Sequence, residues 1–223
     1  MSEEFDFDHP TPTVEGIRAR LAATPAFETN PDGSTRRPSA ITVLLSLLEQ
    51  RDRRAAEHAF RVAELSSSLG IALELKPVRI ARLRMAALLH DVGKLVVPEE
   101  VFAKAGPLSD EEWLRVKSHP EYAFQMIASS VHPEVAETVL KHCERIDGKG
   151  YPYGESGEEI PMPSRILLVA DAYDAMLSPR PYRLPLSVDD ALNNISAGAG
   201  SQFDGDVVKA LTLIAEHEGW AAA

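Results

Sequence analysis

Seven histidines are spread along the chain: His9, His58, His90, His119, His132, His142 and His217. A single histidine on a helix is usually packed or solvated. It becomes a candidate ligand when several imidazoles share inward faces with carboxylates. His58 shares a face with Val62, Leu65 and Leu69, at helical spacing. His90 directly follows Leu88 and Leu89 and is itself followed by Asp91. His142 lies one turn after Val139 and two after Val135, and Asp171 is bracketed by Leu167, Ala170 and Asp174. An uncompensated carboxylate in an apolar interior is costly, and a divalent cation would satisfy imidazoles and carboxylates together. Mixed His/Asp donors suit Fe, Mn or Zn rather than Ca. The alternative is a buried hydrogen-bond network without metal, although the adjacent pair His90 and Asp91 is hard to explain by packing.

Two further signals point to phosphate. Gly93 and Lys94 follow His90 and Asp91 after the single residue Val92, pairing a permissive backbone with a point charge. Arg180, Tyr182 and Arg183 cluster just beyond the segment that carries Asp171, and Arg is shaped for bidentate phosphate contact. The plain alternative is an exposed loop at a helix C-terminus. A third signal is the loop HCERIDGKGYPYG, His142 to Gly154, whose glycines and Pro152 define a tight, irregular backbone. Its Tyr151 and Tyr153 are either presented outward, stacked on a base, or part of an ordinary turn.

The elements that must position these groups are helical. Gly70 supplies a stop for the helix carrying His58, and a second helix follows Pro77 and ends near Gly93. Ser109 with Glu112 predicts a capping box, and Pro120 and Pro133 suit first turns. Further helices are expected over about 163–178, after a Ser187 cap, and over 206–218. No segment alternates like a strand. The expectation is an all-α bundle over 41–223, with a short hairpin between Gly148 and Ile160. It is preceded by a Pro-rich tail over 1–40 that holds one short helix, Thr13–Ala23, and docks on the bundle.

The 223 residues suffice for one sizeable core, with 44% hydrophobic and 26% charged residues. The net charge of -11, from 23 basic and 34 acidic residues, argues against a DNA-backbone partner but leaves room for a locally positive pocket. Cys143 is the single cysteine, which excludes an internal disulfide and suggests a reducing compartment. No apolar run reaches membrane-span length, and the acidic start MSEEFDFDHP fits no signal peptide. A cytoplasmic location is expected.

The segments HDVGK, HPEYA, HCERIDGKGYP, VADAYDAMLSPRPYR and GAGSQFD stand in the order and spacing of HD-GYP domains, and the resemblance covers about residues 50–215. It implies an HD-type helical bundle with a GYP loop and a two- or three-metal centre. It also implies phosphodiesterase activity of a bacterial signalling enzyme on cyclic di-GMP, giving pGpG or GMP, or on cyclic GMP-AMP. By resemblance, His58, His90, Asp91, His119, His142 and Asp171 are metal ligands, with Asp91 bridging. Lys94, Arg180 and Arg183 face substrate phosphates. Gly150, Tyr151 and Pro152 shape the site mouth and offer a surface to a signalling protein partner; a homodimer stays open. The implied reaction is in-line attack by a metal-activated water, with Asp91 and Lys94 in catalytic roles.

Three positions depart from the pattern. Cys143 stands where the family has a second, metal-ligating histidine. A thiolate there would favour Zn or Fe over Mn or leave the second site weak, and the alternative is a small buried hydrophobe. Arg54 stands where three-metal members carry a carboxylate, so at most two ions are expected and Asp174 is free to pair with an arginine. Ala123 replaces a glycine. The first departure leaves open a second class of function, a degenerate module that binds a cyclic dinucleotide or a partner protein without turnover. A third reading, a general HD nucleotide phosphohydrolase, fits the intact GYP loop less well.

Overall fold

Short polar caps divide the chain into helices. The computed structural model describes residues 13–23, 28–29, 35–36, 39–104, 106–179 and 184–218. After α1 (Val14–Ala23) come two paired two-residue strands, β1 (Glu28–Thr29) and β2 (Thr35–Arg36). Ser39 caps α2 (Ala40–Arg51) by accepting the Thr42 amide at 3.1 Å. Asp52 then caps α3 (Arg53–Ala72) through the amides of Arg54 and Ala55. Pro77 opens α4 (Pro77–Leu89), where a missing N–H costs nothing. A 3-10 turn (Val92–Val96) and α5 (Glu99–Ala103) lead to α6 (Asp110–Lys117), which carries the expected Ser109–Glu112 capping box. Next come α7 (His119–Ile127), α8 (Pro133–Leu140) and α9 (Met162–Leu177). Ser187 caps α10 (Val188–Ala197), and α11 (Gly205–Glu218) completes an all-α bundle.

The long helix α3 is central, packed on α2, α4, α9 and α11, while α7 packs on α8 and the 3-10 turn. Val62, Leu65, Leu69, Leu83, Leu89 and Tyr173 are fully buried between these helices. Burial of each such Leu is worth about 1.5–3 kcal/mol, so the face that carries His58 is firmly anchored. Val14 and Ile17 of α1 join the same core.

Three boundaries differ from the sequence reading. Helix α3 runs past Gly70 to Ala72, and a Cβ at Gly70 would touch Ile80 and Leu83 at 3.4 and 3.5 Å, so this glycine serves packing on α4. Helix α4 stops at Leu89 because the backbone must then pass close to α7: a Cβ at Gly93 would lie 1.9 Å from the His119 carbonyl. The hairpin expected over 148–160 reduces to one isolated bridge, Asp147 with Ser156, and a 3-10 turn (Gly157–Glu159). Its amides go elsewhere: Tyr153 and Gly154 donate to the buried Glu144 carboxylate at 2.6 and 3.2 Å.

Candidate metal centre

Three histidines sit at or just beyond helix C-termini, where backbone carbonyls lack partners. His90 Nδ1 lies 2.7 Å from the Ala87 carbonyl, His119 Nδ1 2.8 Å from Val116 and His142 Nδ1 2.7 Å from Val139. A carbonyl only accepts, so each Nδ1 carries the proton and each Nε2 presents a lone pair. The same i−3 contact thus fixes tautomer and ring direction three times. The Nε2 atoms of His119 and His142 come within 3.3 Å of each other. Burial holds both rings neutral, with His119 lowered to about 3 and His142 to about 4; His142 and Lys94 add to the first shift and His90 to the second.

His58 is oriented differently. Its Nδ1 lies 2.6 Å from Asp174 Oδ2, and its Nε2 lies 3.0 Å from Asp171 Oδ1. Burial alone would lower its pKa, but these two carboxylates raise it to about 9. Asp174 also accepts from Arg61 Nε at 2.7 Å and Nη2 at 3.0 Å, the arginine pairing left open by the sequence.

Asp91, buried at the end of α4, faces two ways. Its Oδ2 is 2.6 Å from Lys94 Nζ and 3.5 Å from His90 Nε2; its Oδ1 is 3.7 Å from His119 Nε2. Burial opposes its charge, yet His90, Lys94 and His119 hold it well below the usual carboxylate range. Asp171 is likewise held low despite burial, chiefly by His58 and His90. Lys94 remains a cation: Asp91 and Asp171 outweigh its desolvation.

The donor atoms form overlapping groups: His58, His90 and Asp91; His90, His142 and Asp171; and His119, His142 and Cys143, each within 4.8 Å of one another. All seven sequence candidates for ligation are therefore brought together from α3, α9 and the ends of α4, α6 and α8. Whether they suit a cation can be tested on His90. Its Nε2 is fully buried and has no hydrogen-bond partner among the described residues. An orphaned lone pair beside carboxylates held in the charged state is the arrangement a divalent ion completes, so the donor set fits. Cys143 Sγ lies 3.3 Å from His142 Nε2, inside the group rather than in the apolar core. Burial raises its thiol pKa, and the Tyr151 hydroxyl is its hydrogen-bond neighbour.

This centre opens onto a cavity of about 1540 Å³. Eight Lys/Arg and five Asp/Glu line it, the reverse of the 23 to 34 balance in the whole chain. Arg54 and Lys94 are among them, and Tyr151 turns inward, while Tyr153 is 57% exposed. Arg180 and Arg183 lie outside the described residues. Sequence reasoning missed Arg51, Arg61, Trp113, Lys117, Arg145 and Lys149, all on the cavity wall. Arg51 reaches from α2 to the carbonyls of Lys94, Leu95 and Val97, bracing the turn that carries Lys94. Arg61 had a legible signal, lying one turn after His58; Trp113 was legible as the one aromatic in the polar helix DEEWLRVK.

Comparison with known proteins places this geometry. The HD domain family model matches residues 42–207. A cyclic di-GMP phosphodiesterase of Thermotoga maritima is 36% identical over 173 residues, covering 76% of this chain and 47% of that protein. A 3'3'-cGAMP-specific phosphodiesterase of Vibrio cholerae is 34% identical over 198 residues, covering 86% and 45%. The chain thus spans less than half the length of these relatives. Among solved structures, an HDG"Y"P protein from Bdellovibrio bacteriovorus superposes with a TM-score of 0.62 at 19% identity, covering 92% of this chain and 65% of that one.

Proposed function

The chain belongs to the HD domain family, in its HD-GYP branch, and from that premise we propose that it is a metal-dependent phosphodiesterase of cyclic dinucleotides, with cyclic di-GMP as substrate. The observation that carries this reading is Asp91, whose two oxygens face different donors, Oδ2 toward His90 and Oδ1 toward His119. Such a carboxylate suits a pair of divalent ions, Fe, Mn or Zn. His58, His90, Asp91 and Asp171 would hold one; His119, His142 and Cys143, sharing Asp91, would hold the other. When bound, the ions supply Lewis-acid charge at the phosphate and a water of lowered pKa.

The chain's own residues do the rest. Lys94 stays protonated beside Asp91, pairs with a non-bridging phosphate oxygen and hands a proton to the departing 3'-oxygen as its bond to phosphorus breaks. The positive wall draws the second phosphate, with Lys149 and, by family resemblance, Arg180 and Arg183 as its partners. Asp174 and Arg61 hold His58 in place. Arg54 leaves the site without the extra carboxylate of a third ion. The test is incubation of protein loaded anaerobically with Fe(II), Mn(II) or Zn(II) with cyclic di-GMP. Conversion to pGpG or GMP is expected, and no product with any of the three ions overturns the hydrolase.

One observation favours a binding module instead: the Cys143 thiol is engaged by Tyr151 and buried toward its neutral form. Calorimetry distinguishes the two readings, because the module binds cyclic di-GMP without product and gains turnover in Cys143→His. The exposed Tyr153 suits the loop to a signalling protein partner. No helix among the described residues is long and apolar enough to cross a membrane.

A further inference from the structure

Trp113 is misplaced for a residue that only folds the chain. It stands in the polar helix α6 and is 47% exposed, although it lines the same cavity as Asp91 and Asp171. Single exposed apolar side chains are common and need no account. Trp113 differs because it belongs to a chain of contacts leading out of the metal centre. His119 meets the Tyr151 ring edge-on, with centroids 6.3 Å apart at 72°. Lys117 Nζ lies 5.9 Å from the Tyr151 centroid and also 5.9 Å from the Trp113 centroid. Phe102 of α5, 39% exposed, lines the same cavity. An aromatic wall with a cation set between its rings therefore runs from a ligand histidine to open solvent.

We propose that Trp113 is the stacking platform for a guanine base of the substrate, with Lys117 as the donor that reads it. An indole face offers a flat apolar surface that a purine covers at little entropic cost. Guanine presents O6 and N7 together as acceptors, a pattern suited to an ammonium group. A phosphate held beside Lys94 at the proposed metal centre would leave its nucleoside on the wall of the cavity that Trp113, Lys117 and Tyr151 line. Stacking of a base remote from the breaking bond is the same before and during reaction, so it acts on KM rather than kcat.

The inference rests on the cyclic dinucleotide reading, and the experiment separates the two. With Trp220→Phe, Trp113 is the sole remaining tryptophan of two. Cyclic di-GMP is expected to quench its fluorescence saturably. Trp113→Ala is expected to lower kcat/KM for cyclic di-GMP by about 5- to 150-fold relative to that for bis(4-nitrophenyl) phosphate, which carries no purine, with the loss in KM. Trp113→Phe keeps a ring and is expected to recover most of that loss. An unmoved ratio with unquenched fluorescence overturns the platform and leaves hydrolysis standing. If the wild-type protein fails to turn over cyclic di-GMP, the functional reading falls instead. Quenching of Trp113 then still decides: a saturable signal supports the platform and its absence rejects it.

Discussion

Asp174 holds His58 from behind, with Oδ2 at 2.6 Å from Nδ1, across 116 residues of sequence. The contact joins α3 to α9 and sets the ring so that Nε2 meets Asp171. Arg61 closes the arrangement by binding both oxygens of Asp174 and Ser178 Oγ. Asp174 is thereby occupied by an imidazole and a guanidinium, which makes it a support for His58.

Replacing Asp174 by Asn should therefore weaken metal binding without removing a donor atom. The amide keeps the shape, but it loses the charge that pairs with Arg61 and supports His58. Loss of such an outer partner costs roughly 10- to 100-fold in metal affinity. Competition against a chromophoric chelator measures it, and an unchanged affinity would show that packing alone orients His58.

Cys143 gives a spectroscopic handle. Its Sγ stands with the Nε2 donors of His119 and His142, so Co(II) bound there should show an intense near-ultraviolet sulfur-to-cobalt band. Cys143→Ser should abolish the band, and Cys143→His should shift preference from Zn toward Mn, because an imidazole is a harder donor than a thiolate. A wild-type protein that binds cobalt without the band would make Cys143 a packing residue.

Lys94 should matter to turnover more than to binding. Its Nζ is 2.6 Å from Asp91 Oδ2, where the proposed reaction would put the phosphate. Lys94→Met should retain its metal by elemental analysis and lose about 10²- to 10³-fold in kcat, the usual cost of one transition-state donor. A change in KM alone would assign Lys94 to ground-state binding.

The cluster of buried imidazoles and carboxylates was legible because burial of charge is a strong constraint. Residues such as His90 and Asp91, at the end of an apolar helix, need partners wherever the chain goes. The walls of the cavity were less legible. Periodicity tells which side chains are inside, but not which exposed ones border a concavity, and Trp113 differs from a solvated tryptophan only through Lys117 and Tyr151. Arg51 gave no signal because its partners are main-chain carbonyls more than forty residues away. The hairpin was overread for a related reason. Glycines and Pro152 announced a turn, but the amides that a second strand would have used are taken by Glu144.

That loop makes the sharpest stability prediction. A Cβ at Gly150 would meet Arg145 N at 2.4 Å, Glu144 Cα at 2.5 Å and the Cys143 carbonyl at 2.6 Å. All three are backbone atoms, so no rotamer change relieves the clash. The loop would have to lift, breaking the 3.2 Å bond from Tyr151 N to the Cys143 carbonyl and stripping donors from the buried Glu144. A buried group deprived of its partners costs about 1–3 kcal/mol, more when charged. Gly150→Ala should therefore lower unfolding free energy by at least about 2 kcal/mol in urea titration. Gly157 is the control. Its φ of 52° lies in the left-handed region, but nothing stands within 4 Å of an added Cβ, so Gly157→Ala should cost only the backbone penalty of about 1–2 kcal/mol. If Gly150→Ala proves no worse than Gly157→Ala, the close backbone approach is not what this loop requires of its glycine.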